Sequence, residues 1–516
     1  MAIDPFFTSA RKRKRSNNKK TPATAAQKQK KVNKKEDSDV EGDSGEEDQF
    51  NANLSQSDVD VSSEEEEIEE TAAEKRVRLA KAYLGSIEKS LEDDGIGFDA
   101  ADLDKDLIAE RLKKDDDESE GRLHMRIADR VRRNIEKIKS NICRGHQLPV
   151  TAVALAENGT IFYSASKEGS IIKWDAKTFK KLHTFPGGRK GVKNFDGHTD
   201  HILCLAISND GKYLASGGKD KCINIWSVTE DKHIAKFTQH RDAVSGLAFR
   251  KTSNQLYSAS HDRTIKLWNI DEKAYIETLF GHQDQITGID TLVRERCLSV
   301  GGRDKTARWW KIVEESQLVY RGGISSKNPE TGAIQYVEGS LDCLAQIDES
   351  MFVTGGDSGL ISLWDIQRKK PVFSLPTAHG LNTVASESEG DINTPYWITA
   401  LASLKFSDLF VSGSWDGYIR LYKLAQDNRS FKEIGKLPVN GVVNDIQIKQ
   451  LFPSKRTLIV VAVGQELKLG RWIRLKNGVK NCTKIFELEM TSTGAVSATV
   501  VDGNGDDKGE SQFRII

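Results

Sequence analysis

The sequence predicts an all-β repeat fold, and three observations predict it. The segments "GHTDHILCLAISNDGKYLASGGKDKCINIWS" (197–227), "QHRDAVSGLAFRKTSNQLYSASHDRTIKLWN" (239–269) and "GHQDQITGIDTLVRERCLSVGGRDKTARWWK" (281–311) align almost without gaps, at a period of about forty residues. Each opens on Gly-His or Gln-His, runs through strand-like alternation, turns at an Asp and ends on a strand with Trp. The same frame recurs with decay from Gly145, Gly339, Ile398 and Asn440. That gives seven units, marked by Trp174, Trp226, Trp268, Trp310, Trp364, Tyr422 and Trp472.

Four regions follow from this frame: a disordered head (1–72), a helical lead-in (73–140), the repeats (141–490) and a polar tail (491–516). Lys plus Arg and Asp plus Glu both total 76, yet they are segregated in the head. Residues 11–35 hold many bases and no acid; residues 36–70 hold many acids and no base. Such blocks repel themselves and bury too little apolar surface to offset ordering entropy. The basic run, Arg11, Lys12, Arg13, Lys14 and Arg15, fits a nuclear or nucleolar import signal or an arm for nucleic acid. Ser38, Ser44, Ser62 and Ser63 each have an acid three residues on and are candidate phosphorylation sites for acid-directed kinases.

In the lead-in, Ala80, Tyr83, Leu84, Ile87 and Leu91 share one helical face, and a second helix is expected over 102–114 with Asp102 as N-cap. A third is expected over 124–139. There Ile127, Val131, Ile135 and Ile138 form one stripe, with Arg126, Arg130, Arg132, Arg133 and Lys137 around it. These stripes need a surface, either the following domain or a partner.

The repeats resemble the WD-repeat family, which implies a seven-bladed WD-repeat β-propeller of four-stranded blades. Extra length at 186–196, 321–338 and 379–397 reads as loops and candidate contact sites. The outer strand of the last blade comes either from 482–490 or from the segment before Gly145. Cys143, Cys204, Cys222, Cys297, Cys343 and Cys482 show no C-x-x-C pair and no metal spacing, so no metal site and no cofactor is expected. The longest apolar run, near 457–464, is too short to span a bilayer.

Ser258, Ser260, His261 and Asp262 bring together the residue types of a serine hydrolase. Recurrence argues against catalysis, because a triad is needed once. The resemblance implies that each blade is pinned by an Asp in a turn, a His from the entering loop, a Ser or Thr and a Trp. These would be His198, Asp220 and Trp226; His240, Asp262, Trp268 and Ser258 (or Ser260); and His282, Asp304 and Trp310. Where Glu168, Ser358 and Glu466 replace the Asp, and where no Gly-His enters the fifth to seventh blades, the network is expected to be absent. No P-loop, nucleophile elbow or H-E-x-x-H occurs, so enzyme activity is not expected.

In such turns the residue before the Asp faces the channel mouth: Lys167, Lys219, His261, Arg303, Asp357, Trp415 and Gln465. Bases there suit phosphates, and Trp415 suits stacking on a base, worth about 1–3 kcal/mol. Lys167, Lys219, His261, Arg303 and Trp415 are therefore candidate RNA contacts, with Arg241, next to His240 in the entering loop, as a further one.

A closer resemblance covers about 74–485. "EKRVRLAKAYL", "FDAADLDKDLIAERLK", "HRDAVSGLAFRK", "QLYSASHDRTIKLWN", "VGGRDKTARWWKI" and "VAVGQELKLGRW" resemble the U3 small nucleolar RNA-interacting WD-repeat proteins, helical lead-in included. The resemblance implies a non-enzymatic nucleolar scaffold of the U3 box C/D small nucleolar ribonucleoprotein. Its implied partners are the box B/C region of U3 small nucleolar RNA, a kink-turn-binding protein with other box C/D core proteins, and proteins of the small-subunit processome that yields 18S rRNA; no membrane is involved. Two other classes stay open: a propeller adaptor in a chromatin complex and a ubiquitin-ligase substrate receptor.

Overall fold

The computed structural model describes residues 125–488 except 132–134, 193–194, 323–324, 328–333, 337–338, 387–389, 452–455 and 477, and before them Arg78 and Lys81 alone. The basic run, the phosphorylation candidates, the helix expected over 102–114 and the polar tail lie outside the described residues. Of the helix expected over 74–91, Arg78 and Lys81 are described, both helical and exposed.

Seven four-stranded antiparallel sheets form the blades of a β-propeller. Blade 3 shows the pattern: Val244–Phe249 is innermost, followed outward by Gln255–Ser260, Thr264–Asn269 and Ala274–Phe280. The innermost strand carries the same bulge in every blade but the sixth, between Val244 and Gly246 here and between Val443 and Asp445 in blade 7. A bulge adds local twist, which suits strands tilting around an axis. Burial falls outward: Leu256, Tyr257 and Ala259 of the second strand are fully enclosed, whereas Tyr275, Ile276 and Phe280 of the outer strand are exposed.

Apolar side chains meet between blades. Ile223, Ile225 and Val244 join Leu256, Trp268 and Ile270 in one cluster linking blades 2 and 3, and Val150, Phe162 and Trp174 join Val460 and Ile485 where blade 1 meets blade 7. The inner strands enclose a cavity of about 360 Å³ on the axis.

Blade 7 combines both segments that the sequence offered for its outer strand. Its order is Val442–Leu451, Arg456–Gly464, Cys482–Leu488 and then Ser140–Cys143, paired antiparallel to the third strand. Chain start and chain end of the propeller thus share one sheet, and their hydrogen-bonded pairing fastens the ring where it closes. The two large insertions form hairpins, Ser325–Lys327 with Ile334–Tyr336 and Leu381–Ser386 with Gly390–Pro395.

The helix expected over 124–139 is not one. Among the described residues of that stretch two short 3-10 turns form, Ala128–Arg130 and Ile135–Lys137. The apolar stripe packs as one surface: Ile127, Val131 and Ile135 are buried and Ile138 packs beside them, against Leu409, Leu437, Ile459 and Phe486 of blades 6 and 7. The backbone N–H groups of Ile127 and Ala128 donate to buried Asp408 Oδ1 at 2.7 and 3.0 Å. Tertiary contacts of this kind replace the intrahelical ones, so a helical period of apolar residues survives in a chain that winds otherwise.

Candidate functional site

In blade 3, His240 Nδ1 lies 2.9 Å from Asp262 Oδ2, His240 Nε2 lies 2.8 Å from Ser258 Oγ, and Trp268 Nε1 donates to the same hydroxyl at 2.9 Å. A neutral imidazole protonated on Nδ1 satisfies this chain, with Ser258 donating to Nε2. Ser260 is used differently, donating to Asp242 O. Asp262 also accepts from the Arg241 N–H and from the N–H and hydroxyl of Thr264, and so fixes a turn in which Arg263 holds a φ of 70°. Blade 2 repeats this with His198, Asp220, Ser216 and Trp226, and blade 4 with His282, Asp304, Ser299 and Trp310. Burial raises the Asp262 carboxyl, but hydrogen bonds from His240, Thr264 and Arg241 together outweigh it and hold the group below its usual range.

Two blades expected to lack this chain possess its His link between a carboxylate and a Ser hydroxyl. In blade 1, His146 bridges Glu168 at 2.8 Å and Ser164 Oγ at 2.9 Å, because the longer Glu side chain reaches the same imidazole. In blade 6, His379 reaches Asp416 at 2.9 Å and Ser412 at 2.7 Å. It precedes Asp416 by 37 residues rather than 22, since the hairpin at 381–395 is inserted between them. Blade 5 keeps the Trp364 bond to Thr354 at 2.8 Å, while Asp357 accepts from the Ser340 N–H.

Trp472 is the clearest departure from expectation. It is not the strand marker of blade 7: it lies between the second and third strands and is 72% exposed. Registration puts Phe486 opposite Ile459, where blade 1 has Trp174 opposite Phe162.

The turns sit beside the starts of the innermost strands. Backbone N–H groups of Lys167, Lys219 and His261 donate to Pro149, His201 and Ala243 of the strand entry in their own blades. In blade 4 that bond belongs to Gly302, because Ser299 and Asp304 are one residue further apart than Ser216 and Asp220; Arg303 is the added residue. Lys219, Arg241 and Arg303 are exposed. The His261 imidazole has an unpartnered, enclosed Nε2, and burial lowers its pKa, favouring the neutral ring. Trp415 is half-buried, edge-on to Tyr396 at 4.5 Å. Lys167 differs from the other bases: it is buried, burial lowers its pKa, and its Nζ stands 3.5 Å from Glu466 Oε2.

Glu466 opens the connection 465–481, which replaces the three-residue turn 261–263 of blade 3 and carries five bases against one acid. It is tied down at several points. Leu475 N–H donates to Gln465 O at 2.9 Å, Glu466 and Arg474 form a β-bridge, and Asn481 Nδ2 donates to Gln147 O of the loop entering blade 1 at 2.8 Å. Lys468 lines the axial cavity. The signal was available in "GQELKLGRWIRLKNGVKN", whose basic, Gly-containing run is unlike a strand.

These blades define a WD-repeat β-propeller. The WD domain, G-beta repeat family matches residues 137–175, 189–227, 231–269, 273–311 and 387–423, the segments of the five blades in which a His bridges a carboxylate and a Ser hydroxyl. The chain is 42% identical over 432 residues to U3 small nucleolar RNA-interacting protein 2 of Mus musculus, covering 84% of this chain and 85% of that protein. It is 32% identical over 529 residues to Ribosomal RNA-processing protein 9 of Saccharomyces cerevisiae, covering 84% and 92%. The solved structure of U3-55K is similar at a TM-score of 0.60 and 41% identity, covering 68% of this chain and 98% of that one. The chain belongs to the U3 small nucleolar RNA-interacting WD-repeat protein family.

Proposed function

We propose that this protein is a non-enzymatic RNA- and protein-binding subunit of the U3 box C/D small nucleolar ribonucleoprotein, acting in the nucleolus in pre-rRNA processing to 18S rRNA. The observation that carries the reading, beside kinship, is a tied-down loop with five bases and an exposed Trp472, in the turn position of blade 7 that corresponds to the turns carrying exposed Lys219 in blade 2 and Arg303 in blade 4, with Arg241 exposed in the entry loop of blade 3. Cations spaced around an exposed indole suit single-stranded RNA, whose phosphates take the charge and whose bases stack. The Ser-His-Asp sets are spent on holding turns, which leaves recognition to this surface. Box B/C of U3 RNA, together with a kink-turn-binding protein, is the partner proposed for it, and processome proteins for the remaining faces.

Crosslinking the protein to RNA in cells and sequencing what is recovered tests the reading. U3 small nucleolar RNA should dominate; recovery of a ligase adaptor or chromatin proteins without U3 enrichment would overturn it. In vitro, Trp472→Ala should weaken U3 RNA binding by about 1–3 kcal/mol. Each lost phosphate contact among Lys219, Arg241 and Arg303 should flatten the logarithmic salt dependence by about 0.7.

A further inference from the structure

Glu466 stands where blades 2 to 4 keep their turn Asp, and it faces no imidazole. Its carboxylate instead gathers three cations. Oε2 lies 3.5 Å from Lys167 Nζ and 3.4 Å from Arg471 Nε, while Oε1 lies 3.3 Å from Arg474 Nε. Glu466 and Lys167 are both buried, whereas the two arginines are 79% and 52% exposed. Both guanidinium groups are therefore held from inside by Nε, and neither terminal amino pair is needed for that contact. One carboxylate against three cations also leaves the cluster net positive. Trp472 lies between the arginines in sequence, and its ring is against Gly470, where an added Cβ would sit 2.0 Å from it.

We propose that Glu466 is a positioning residue: it presets Arg471 and Arg474 so that their terminal amines meet phosphates on either side of a base stacked on Trp472. This rests on the RNA reading of the loop above. Lys167 then has a defined part: it neutralises Glu466 from blade 1 and ties the loop across the ring seam. A preset pair loses less side-chain entropy on binding, which is where its contribution to affinity arises. Bidentate phosphate recognition by Arg depends on that geometry.

The sign of one measurement separates positioning from simple charge. Glu466→Gln removes a negative charge beside three cations, so without a positioning role it should tighten RNA binding. With that role it should weaken binding of in vitro transcribed U3 RNA to the full-length protein by about tenfold, the scale of one lost charge-assisted hydrogen bond. In an Arg471→Ala, Arg474→Ala background the same change should cost nothing further. Tighter or unchanged binding by Glu466→Gln, with the double arginine variant impaired, overturns the positioning role alone. Wild-type affinity of the double arginine variant overturns both it and the RNA reading of this loop. Should Glu466→Gln unfold, the paired change Lys167→Met, Glu466→Gln leaves no unpaired buried charge and carries the same expectation.

Discussion

Blades 2 to 4 and blade 7 occupy equivalent places in one ring but use the same turn position in opposite ways. In the regular blades the carboxylate turns inward, onto a buried His, and its whole hydrogen-bonding capacity goes into a four-stranded sheet made from one continuous segment. In blade 7 the carboxylate faces a set of side chains from a neighbouring blade and a long loop, and the sheet is assembled from both ends of the propeller. A blade that must close the ring gains its stability from pairing and apolar contact, with Val460, Ile485 and Phe486 buried. Its turn is thereby released for another task.

The largest test of this contrast is removal of residues 1–144. It strips the outer strand of blade 7 together with Ile127, Val131 and Ile135, whose burial alone amounts to about 5–9 kcal/mol, comparable with a whole domain's stability of about 5–15 kcal/mol. Such a chain should show no cooperative melting transition, whereas one starting at residue 125 should melt as the full chain does. Next in size is Trp268→Ala, at about 3–5 kcal/mol in denaturant titration for a fully buried indole. Trp472→Ala should stay within about 0.5 kcal/mol, and an equal loss at both would reinstate Trp472 as a packing residue.

His240→Ala and His379→Ala should each cost about 1–3 kcal/mol, since each leaves a buried Ser hydroxyl and a carboxylate without their partner. A silent His379 change would separate blade 6 from the regular blades. A further effect, on the order of 1 kcal/mol, is a difference in pH response. At Glu168 burial acts upward, but hydrogen bonds from His146 and Ser170 prevail and hold the carboxyl at about 2, against 4.5 ordinarily. Its contribution is complete above pH 4.5 and is lost as pH falls toward about 2. Asp445 in blade 7 is pushed the other way, by burial, to about 6 from 3.8, so ionising it costs stability as pH rises between those values. Asp445→Asn should therefore gain on the wild type as pH rises through about 4 to 6, and Glu168→Gln should fall behind the wild type from about 2 upward to 4.5. Chemical denaturation midpoints across pH would show parallel curves if the two carboxyls behaved alike.

Much of the ring was legible because its constraints are local and repeated. A His, Asp, Ser and Trp at fixed offsets recur in 197–311, and each offset corresponds to one strand length plus one turn. Where an insertion lengthened the offset, as between His379 and Asp416, the same chemistry was present and the spacing concealed it. The added residue before Asp304 was visible in the Ser299 to Asp304 spacing, yet only the backbone bond at Gly302 shows its consequence for Arg303.

What the sequence determined by itself is the repeat: seven units, the His, Asp, Ser and Trp that recur at fixed offsets in blades 2 to 4, and the apolar stripe of the lead-in. Periodicity reports such features because the residues that satisfy one another lie within a few tens of positions. Tertiary structure alone decided that Ser140–Cys143 and Cys482–Leu488 share a sheet, that Ile127, Val131, Ile135 and Ile138 pack on blades 6 and 7, and that Lys167 meets Glu466. These contacts join residues some three hundred positions apart. No local pattern records them, and they form because closing a ring brings its two ends into the same blade.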